Sequence, residues 1–186
     1  MNIGFALCGS FCTFHKVFPV MEVLAKEHNV IPIFSHNAYA IDSRFGTAEE
    51  HIKRAEKICG CPVIHTIGQA EPIGPKKLLD LLVIAPCTGN TLGKLAAGIY
   101  DTAPTLAYKS HRRNGRPVLI AVSTNDALSA SAQSIGRLMN QKGVYFVPFE
   151  QDDFAGKPTS CVADFSKILP SVQAALEERQ LQPVIF

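Results

Sequence analysis

Small polar residues that could bind a ligand are concentrated in four short segments of the sequence. These segments are residues 9–12, 35–38, 86–91 and 123–126, and each follows an apolar run that is typical of a buried strand. Their hydroxyl and carboxamide side chains suit a polar cofactor or a planar heterocycle. Because ligands of parallel sheets bind beyond the carboxyl ends of the strands, we expect the four segments to line one pocket.

The first two segments could bind a phosphate. Gly9 and Ser10 precede a predicted helix, where glycine lets the backbone approach a ligand and free N–H groups attract anions. Ser35 ends the second predicted strand, and its hydroxyl could either reach the same ligand or cap the next helix. Neither G-x-G-x-x-G nor G-x-x-x-x-G-K-[ST] occurs, so the common nucleotide fingerprints are absent.

The segment 86–91 contains the most informative polar groups. We expect Pro86 to end a strand and Thr88 to cap the helix that follows it. The amide of Asn90 both donates and accepts hydrogen bonds, which allows it to bind the edge of a planar heterocycle.

Residues 123–126 repeat this chemistry after the next strand, with Ser123, Thr124 and Asn125 in sequence. Asp126 has an alternative interpretation that we favour, in which its side chain only caps the following helix.

Two further side chains could act in proton transfer or nucleophilic attack. His65 is either a general base that works near neutral pH or a hydrogen-bonded structural histidine. Cys87 lies before a predicted helix, where a thiol can be reactive, but a packing role is favoured. Cys59 and Cys61 are too close in sequence for a common zinc half-site, and no metal site is predicted.

The elements that must position these residues alternate along the chain. Strands are predicted at 3–8, 30–34, 62–64, 79–85, 117–122 and 144–147. Helices are predicted near 17–25, 47–59, 90–98, 104–113, 127–142 and 163–178, with loops at 66–77 and 148–160. The alternation predicts one α/β domain over residues 1–186, a doubly wound and mostly parallel sheet with helices on both faces.

Composition limits the classes of partner and compartment. The net charge of +2 gives no strong attraction to nucleic acid or to a membrane surface. The six cysteines form no paired framework, which indicates a reducing compartment. With no signal-like start and no apolar run long enough for a membrane span, we expect a cytoplasmic protein.

The stretch from Asp80 to Asp101 resembles a family signature. It reads D-L-L-V-I-A-P-C-T-G-N-T-L-G-K-L-A-A-G-I-Y-D, against D-x-x-V-I-A-P-A-T-A-N-T-x-x-K-x-A-x-G-I-x-D in flavoproteins that bind flavin mononucleotide (FMN), among them cysteine-type decarboxylases. Similarity extends over residues 2–148. It implies a Rossmann-like flavoprotein fold and bound FMN, with cofactor residues Gly9, Ser10, Ser35, Pro86, Thr88, Asn90, Thr91, Ser123 and Thr124. The resemblance and the chemistry above together suggest catalytic roles for His65, Asn90 and Asn125.

Four other segments, residues 64–75, 144–153, 157–160 and 181–185, are similar to one dipicolinate-forming branch of this family. That similarity implies one component of a two-component enzyme, whose other component, the A subunit, carries the NAD(P) site. Together they would oxidise a tetrahydrodipicolinate-type dicarboxylate of the lysine pathway to pyridine-2,6-dicarboxylate in a sporulating bacterium.

Two other functions stay open. A flavin-dependent decarboxylase of a cysteine-type substrate would carry P-x-M-N-x-x-M near residues 121–128. This chain keeps Asn125, but Ser123 and Thr124 precede it and the Pro and the first Met of the pattern are absent, which argues against that activity. A non-catalytic scaffold for the A subunit is the other alternative, and the polar constellation argues against an empty pocket.

Assembly is the last expectation from the resemblance, because relatives form trimers and often dodecamers. The apolar residues Ile99, Tyr100, Leu106 and Tyr108 follow the Asn90 helix, where those relatives make trimer contacts. An apolar surface of this kind is usually covered by a partner.

Overall fold

Seven strands form one sheet in the computed structural model, which describes residues 1–186. They are β1 (Asn2–Leu7), β2 (Asn29–Phe34), β3 (Leu81–Cys87), β4 (Val118–Thr124), β5 (Val144–Phe146), β6 (Phe149–Glu150) and β7 (Cys161–Ala163). Strands β2, β1, β3, β4 and β5 are parallel in that order, whereas β7 pairs antiparallel with the end of β4 and with β6. The predicted mostly parallel sheet is confirmed.

Eight α-helices accompany the sheet. They are α1 (Phe14–Glu27), α2 (His36–Ala40), α3 (Ala48–Cys59), α4 (Ile67–Ala70), α5 (Gly89–Ala97), α6 (Ala103–Arg112), α7 (Ala132–Met139) and α8 (Ile168–Leu176). Helix α1 packs with α3 and α8, and α5 packs with α6 and α7. Along the sheet, the connection from β1 to β2 runs in one direction and the connection from β3 to β4 runs in the other. Right-handed crossovers therefore place α1 and the helices that pack with it on one face, and α5 and its neighbours on the opposite face. No helix combines the length and apolar character that a membrane span needs.

The switch in direction positions the candidate site. Strands β1 and β3 are adjacent, but the connections that leave them run to opposite sides of the sheet. A crevice therefore opens beyond the carboxyl ends of these central strands. All seven residues of β3 are buried, as the continuous apolar run predicts for a strand covered on both faces.

The structure corrects four element predictions. The predicted strand 62–64 is reduced to one isolated bridge, between Ile64 and Ile33. The predicted loop 66–77 contains α4 and a short 3-10 helix, because Thr66 and Gln69 form a capping box that begins α4. In place of the predicted helix 163–178, α8 begins only at Ile168, since Ala163 ends β7 and Phe165–Lys167 form a short 3-10 helix. The predicted helix 127–142 is shorter and spans Ala132–Met139.

Burial differs among the four residues predicted to make trimer contacts. Ile99 is exposed, and Tyr100 and Leu106 are half-buried. Tyr108 is buried within the chain, where its hydroxyl donates to Gln141 Oε1 at 2.5 Å. Tyr108 is thus a core residue, and a contact surface at this place would rest on the other three.

The N-terminus of α3, with Thr47 as its N-cap residue, gives a stability prediction. Thr47 Oγ1 accepts from the Glu50 amide, and Glu50 Oε2 accepts from the Thr47 amide, so both ends of a capping box are present. We expect Thr47→Ala to lower the free energy of unfolding by about 1 kcal/mol, measured by urea titration. Glu50→Gln preserves the acceptor and is the matched control. Equal midpoints for the wild type and Thr47→Ala would contradict the prediction.

Candidate functional site

A cavity of about 620 Å³ lies beyond the carboxyl ends of β1, β3 and β4. Segments 9–12, 86–91 and 123–126 all contribute to its wall, as predicted. Segment 35–38 does not line it, although a Cβ on Gly9 would lie 3.2 Å from Asn37 Cβ. The predicted site residues that line the cavity are Gly9, Ser10, Thr88, Asn90, Ser123, Thr124 and Asn125.

The hydroxyls of Ser10 and Ser123 connect the loops after β1 and β4. Their oxygens are 2.8 Å apart, so one hydroxyl donates to the other. Only one of the two protons is used in that bond, and the one other contact of the pair is the long one from Ser10 Oγ to Cys12 Sγ at 3.8 Å, which a ligand oxygen can replace. The amide of Gly9 makes no hydrogen bond within the chain and adds a second donor beside this pair.

Asn90 and Asn125 present free carboxamides to the cavity from two different strand ends. Asn90 is the second residue of α5, and Asn125 directly follows β4. Both residues are exposed and neither side chain has a hydrogen-bond partner in the chain. The loop between β6 and β7 holds the backbone of Asn125, because the Asn125 carbonyl accepts from Thr159 Oγ1 at 2.7 Å.

Four predicted site residues do not line the cavity, and local contacts account for each. Ser35 accepts from the Ala38 amide at 3.2 Å and so caps α2. Pro86 lies inside β3, which continues to Cys87 instead of ending at the proline. Thr91 is buried and donates to Cys8 Sγ at 3.3 Å.

His65 is the fourth of these residues. Its ring stacks on Tyr39 of α2, with centroids 3.6 Å apart and an interplanar angle of 4°. It is half-buried there and lies outside the cavity wall. The geometry of a single chain therefore gives the predicted general-base role of His65 no direct support.

Cys87 is fully buried beneath the site, as the favoured packing role predicts. Burial, together with a hydrogen bond to the Cys8 thiol, raises its pKa well above the ordinary value for cysteine. A buried thiol of this kind is a poor nucleophile because attack needs the thiolate.

This burial predicts the pattern of alkylation. We expect iodoacetamide at about pH 8 to label Cys12, which is exposed at the cavity, and to leave Cys8 and Cys87 unlabelled in the folded protein. Peptide mass spectrometry before and after denaturation in urea measures this difference. Rapid labelling of Cys87 in the native protein would refute it.

The structure adds cavity residues that the sequence prediction did not include. Phe45 brings a phenyl ring to the wall, where it joins Phe11 of the predicted segment 9–12, and the predicted loop 148–160 contributes Asp152, Lys157 and Ser160. The charged residues of that loop were the available signal, since the sequence there resembles the dipicolinate-forming branch.

Lys157 is the one cationic side chain of the cavity wall. Its Nζ lies 3.4 Å from Asp152 Oδ2, and its side chain is 58% exposed. Burial of Asp152 would raise its pKa, but donors on Ser160 and Lys157 outweigh that effect and lower the pKa below the ordinary value. An exposed ion pair of this length is weak, so Lys157 can turn to an anionic ligand.

Comparison with known proteins identifies the family. The family described as Flavoprotein matches residues 1–176. The chain belongs to the Flavoprotein family. It is also 43% identical over 185 residues to the B subunit of dipicolinate synthase from Bacillus subtilis (strain 168), and the match covers 99% of this chain and 92% of that protein. The resemblance predicted from residues 80–101 is confirmed.

Solved structures agree with this assignment. The crystal structure of the dipicolinate synthase B subunit from Bacillus halodurans superposes with a TM-score of 0.91 at 41% identity, over 100% of this chain and 95% of that one. The FMN-dependent cysteine decarboxylase SpaF superposes with a TM-score of 0.71 at 20% identity, over 96% of each chain. At 20% identity, the likeness to SpaF shows a shared fold and nothing more.

The donors of the cavity fit a flavin nucleotide. Its volume lies within the range of about 300–1,000 Å³ that is common for cofactor sites. Free hydroxyl and amide donors at Gly9, Ser10 and Ser123 suit a phosphate and a polyol chain, and the phenyl rings of Phe11 and Phe45 suit a planar ring. The donors beside Ser10 are neutral, so a phosphate at that place would be bound mainly by uncharged groups.

Proposed function

We propose that this chain is the B subunit of a dipicolinate synthase. The observation that carries the proposal is the 43% identity to the Bacillus subtilis protein over 99% of the chain. With the A subunit of the same enzyme, which would bind NAD(P), it would convert a tetrahydrodipicolinate-type precursor to pyridine-2,6-dicarboxylate. A sporulating bacterium would use this oxidoreductase in its cytoplasm.

The proposed cofactor is FMN, and family membership supports it. Bound FMN supplies a ring that can accept or pass on two electrons. Gly9, Ser10 and Ser123 would bind its phosphate and ribityl chain through the free amide and hydroxyl donors. Thr88, Thr124 and the two asparagines would surround the heterocycles, with Asn90 and Asn125 binding carbonyl or carboxylate oxygens.

Assembly is part of the proposal. We expect a homo-oligomer, either a trimer or a dodecamer, in addition to contact with the A subunit. The exposed Ile99 and the half-buried Tyr100 and Leu106 follow α5 and supply an apolar surface for such contacts.

Reconstitution tests the function directly. Purified chain is mixed with the A subunit, NAD(P) and the tetrahydrodipicolinate-type precursor, and dipicolinate is measured by chromatography. We expect dipicolinate only when both proteins are present. If the A subunit at matched concentration is equally active without this chain, the chain is a non-catalytic scaffold or takes no part in the reaction. Quenching of FMN fluorescence on titration with the chain tests the cofactor separately.

The second candidate is decarboxylation of a cysteine-type substrate, which the likeness to SpaF in fold brings forward. The wall at Ser123, Thr124 and Asp126 is polar and internally hydrogen-bonded, where that activity would require the Pro and Met of the decarboxylase pattern. Incubation with a C-terminal cysteinyl peptide and FMN, followed by measurement of carbon dioxide, separates the two. We expect no release above background.

A further inference from the structure

Asp126 has a different role from the helix cap that the sequence favoured. Helix α7 begins at Ala132 with Ser131 as its N-cap residue, and the Asp126 side chain caps no helix. Its carboxylate instead accepts two hydroxyl donors at one oxygen. Thr124 Oγ1 donates to Oδ1 at 2.5 Å, and Ser131 Oγ donates to the same oxygen at 2.9 Å.

The second carboxylate oxygen is free. Asp126 Oδ2 makes no hydrogen bond and no ion pair within the chain, and Asp126 is half-buried in the cavity wall. The other charged side chains of the wall, Asp152 and Lys157, pair with each other. Asp126 is therefore a carboxylate that is fixed at one oxygen and open to a ligand at the other, which is the arrangement a general base requires.

Gly89 leaves the space in which this carboxylate lies. A Cβ at Gly89 would lie 2.6 Å from Ser131 Oγ and 2.7 Å from both Asp126 Oδ1 and Thr124 Oγ1. The family signature has alanine at this position, where the present chain has Gly89. Two departures from the family patterns, Gly89 and Thr124, are thus sterically linked.

The start of α5 favours a negative charge at this place. Gly89 is the first residue of α5, and no side chain caps that helix end. The positive end of the helix dipole stabilises a nearby carboxylate. The negative charge of Asp126 itself disfavours a doubly charged phosphate beside it, which leaves the Gly9 and Ser10 side of the cavity for that group.

We propose that Asp126 accepts the proton in the loss of water that begins aromatisation of the precursor, an inference that rests on the proposed function. In a precursor of this type that carries a ring hydroxyl, the C–H bond beside the hydroxyl-bearing carbon breaks, and its proton moves to Asp126 Oδ2. The electron pair forms the ring double bond as the C–O bond breaks, and the proton returns to the departing hydroxide. The step releases one water and needs no oxidant. Thr124 and Ser131 position the carboxylate.

The test uses the complex with the A subunit. Asp126→Asn retains the shape and the Oδ1 acceptor but removes the base, so we expect kcat for dipicolinate formation to fall about 10²–10⁴-fold. We expect KM to change less than about threefold and FMN quenching to be unaffected, because binding and catalysis are separable here. In D₂O without NAD(P), reversal of the water loss in the wild-type complex should incorporate deuterium at that ring carbon of the precursor, whereas Asp126→Asn should not.

A glycine pair gives a matched control in α5. Gly89→Ala should lower kcat by at least about tenfold, because its Cβ displaces a carboxylate that must stay within hydrogen-bond reach of the proton. Gly93→Ala should remain near wild type, since its Cβ would meet only Ser134 Oγ at 4.0 Å.

The outcomes separate this inference from the function on which it rests. A wild-type complex that forms no dipicolinate contradicts the proposed function. An active wild type with Asp126→Asn within about threefold of it, or with unchanged proton exchange, overturns the role of Asp126 alone. If His65→Asn loses activity by about 10²–10⁴-fold while Asp126→Asn does not, the histidine is the base and Asp126 is structural.

Discussion

Replacing Asn90 or Asn125 by alanine is expected to lower dipicolinate formation by about ten- to hundredfold. Both carboxamides are free in the chain and lie in the cavity wall, so their donors and acceptors are available to a ligand. When a ligand covers them, loss of one buried hydrogen-bond partner costs about 1–3 kcal/mol, and more if the bonded group is charged. Each factor of ten in rate corresponds to about 1.36 kcal/mol.

Steady-state kinetics of the reconstituted complex measure this loss as kcat/KM. Asn140→Ala is the matched control, because Asn140 is exposed at the end of α7 and away from the cavity. Cys87→Ala provides a second comparison and should change activity little, since the thiol is buried beneath the site. Near wild-type activity of both asparagine variants together with an inactive Cys87→Ala would require a thiol mechanism.

The convergence of three polar segments could be predicted because it follows from topology alone. Segments 9–12, 86–91 and 123–126 each come after a strand that reads as a continuous apolar run. Parallel strands bring their carboxyl ends to one edge of the sheet, so residues far apart in sequence meet there. Neither the helix boundaries nor the hydrogen bonds within the loops enter that argument.

Individual side chains at the same edge could not be assigned, because each can satisfy its hydrogen bonds in more than one way. Ser35 and Thr91 have hydroxyls that could face a ligand, but one caps α2 and the other bonds Cys8. Asp126 is the reverse case, because its spacing favours a helix cap but its carboxylate instead accepts from two hydroxyls in the cavity wall. Local spacing does not distinguish these alternatives, because donor and acceptor directions depend on rotamers and neighbouring elements.

The segment between β5 and α8 was the least predictable part of the fold. Strands β6 and β7 have only two and three residues, and β7 pairs with the distant β4. A strand this short has too few residues to show alternation, and its pairing depends on tertiary contacts. Through that pairing the loop from 151 to 160 reaches the cavity.

The second large effect is expected at Lys157, which lies on this loop. We expect Lys157→Gln to raise KM for the dicarboxylate precursor about ten- to hundredfold. It is the one cation of the cavity wall, and its contact with Asp152 is long and exposed. A substrate carboxylate can replace Asp152 at Lys157, and a hydrogen bond to a charged group contributes about 1.5–3 kcal/mol. The interaction is the same in ground and transition states, so kcat should change little.

The comparison variants make the assignment specific to the cavity. Lys142→Gln removes an exposed lysine outside the site and should leave KM unchanged, so a loss of net charge alone is controlled. Asp152→Asn removes the competing partner of Lys157 and should lower KM, because the ammonium no longer has to leave an ion pair. Raised salt should weaken substrate binding to the wild type more than to Lys157→Gln. An unchanged KM with weaker FMN quenching would instead assign Lys157 to the cofactor phosphate, and equal KM values for both lysine variants would remove it from the site.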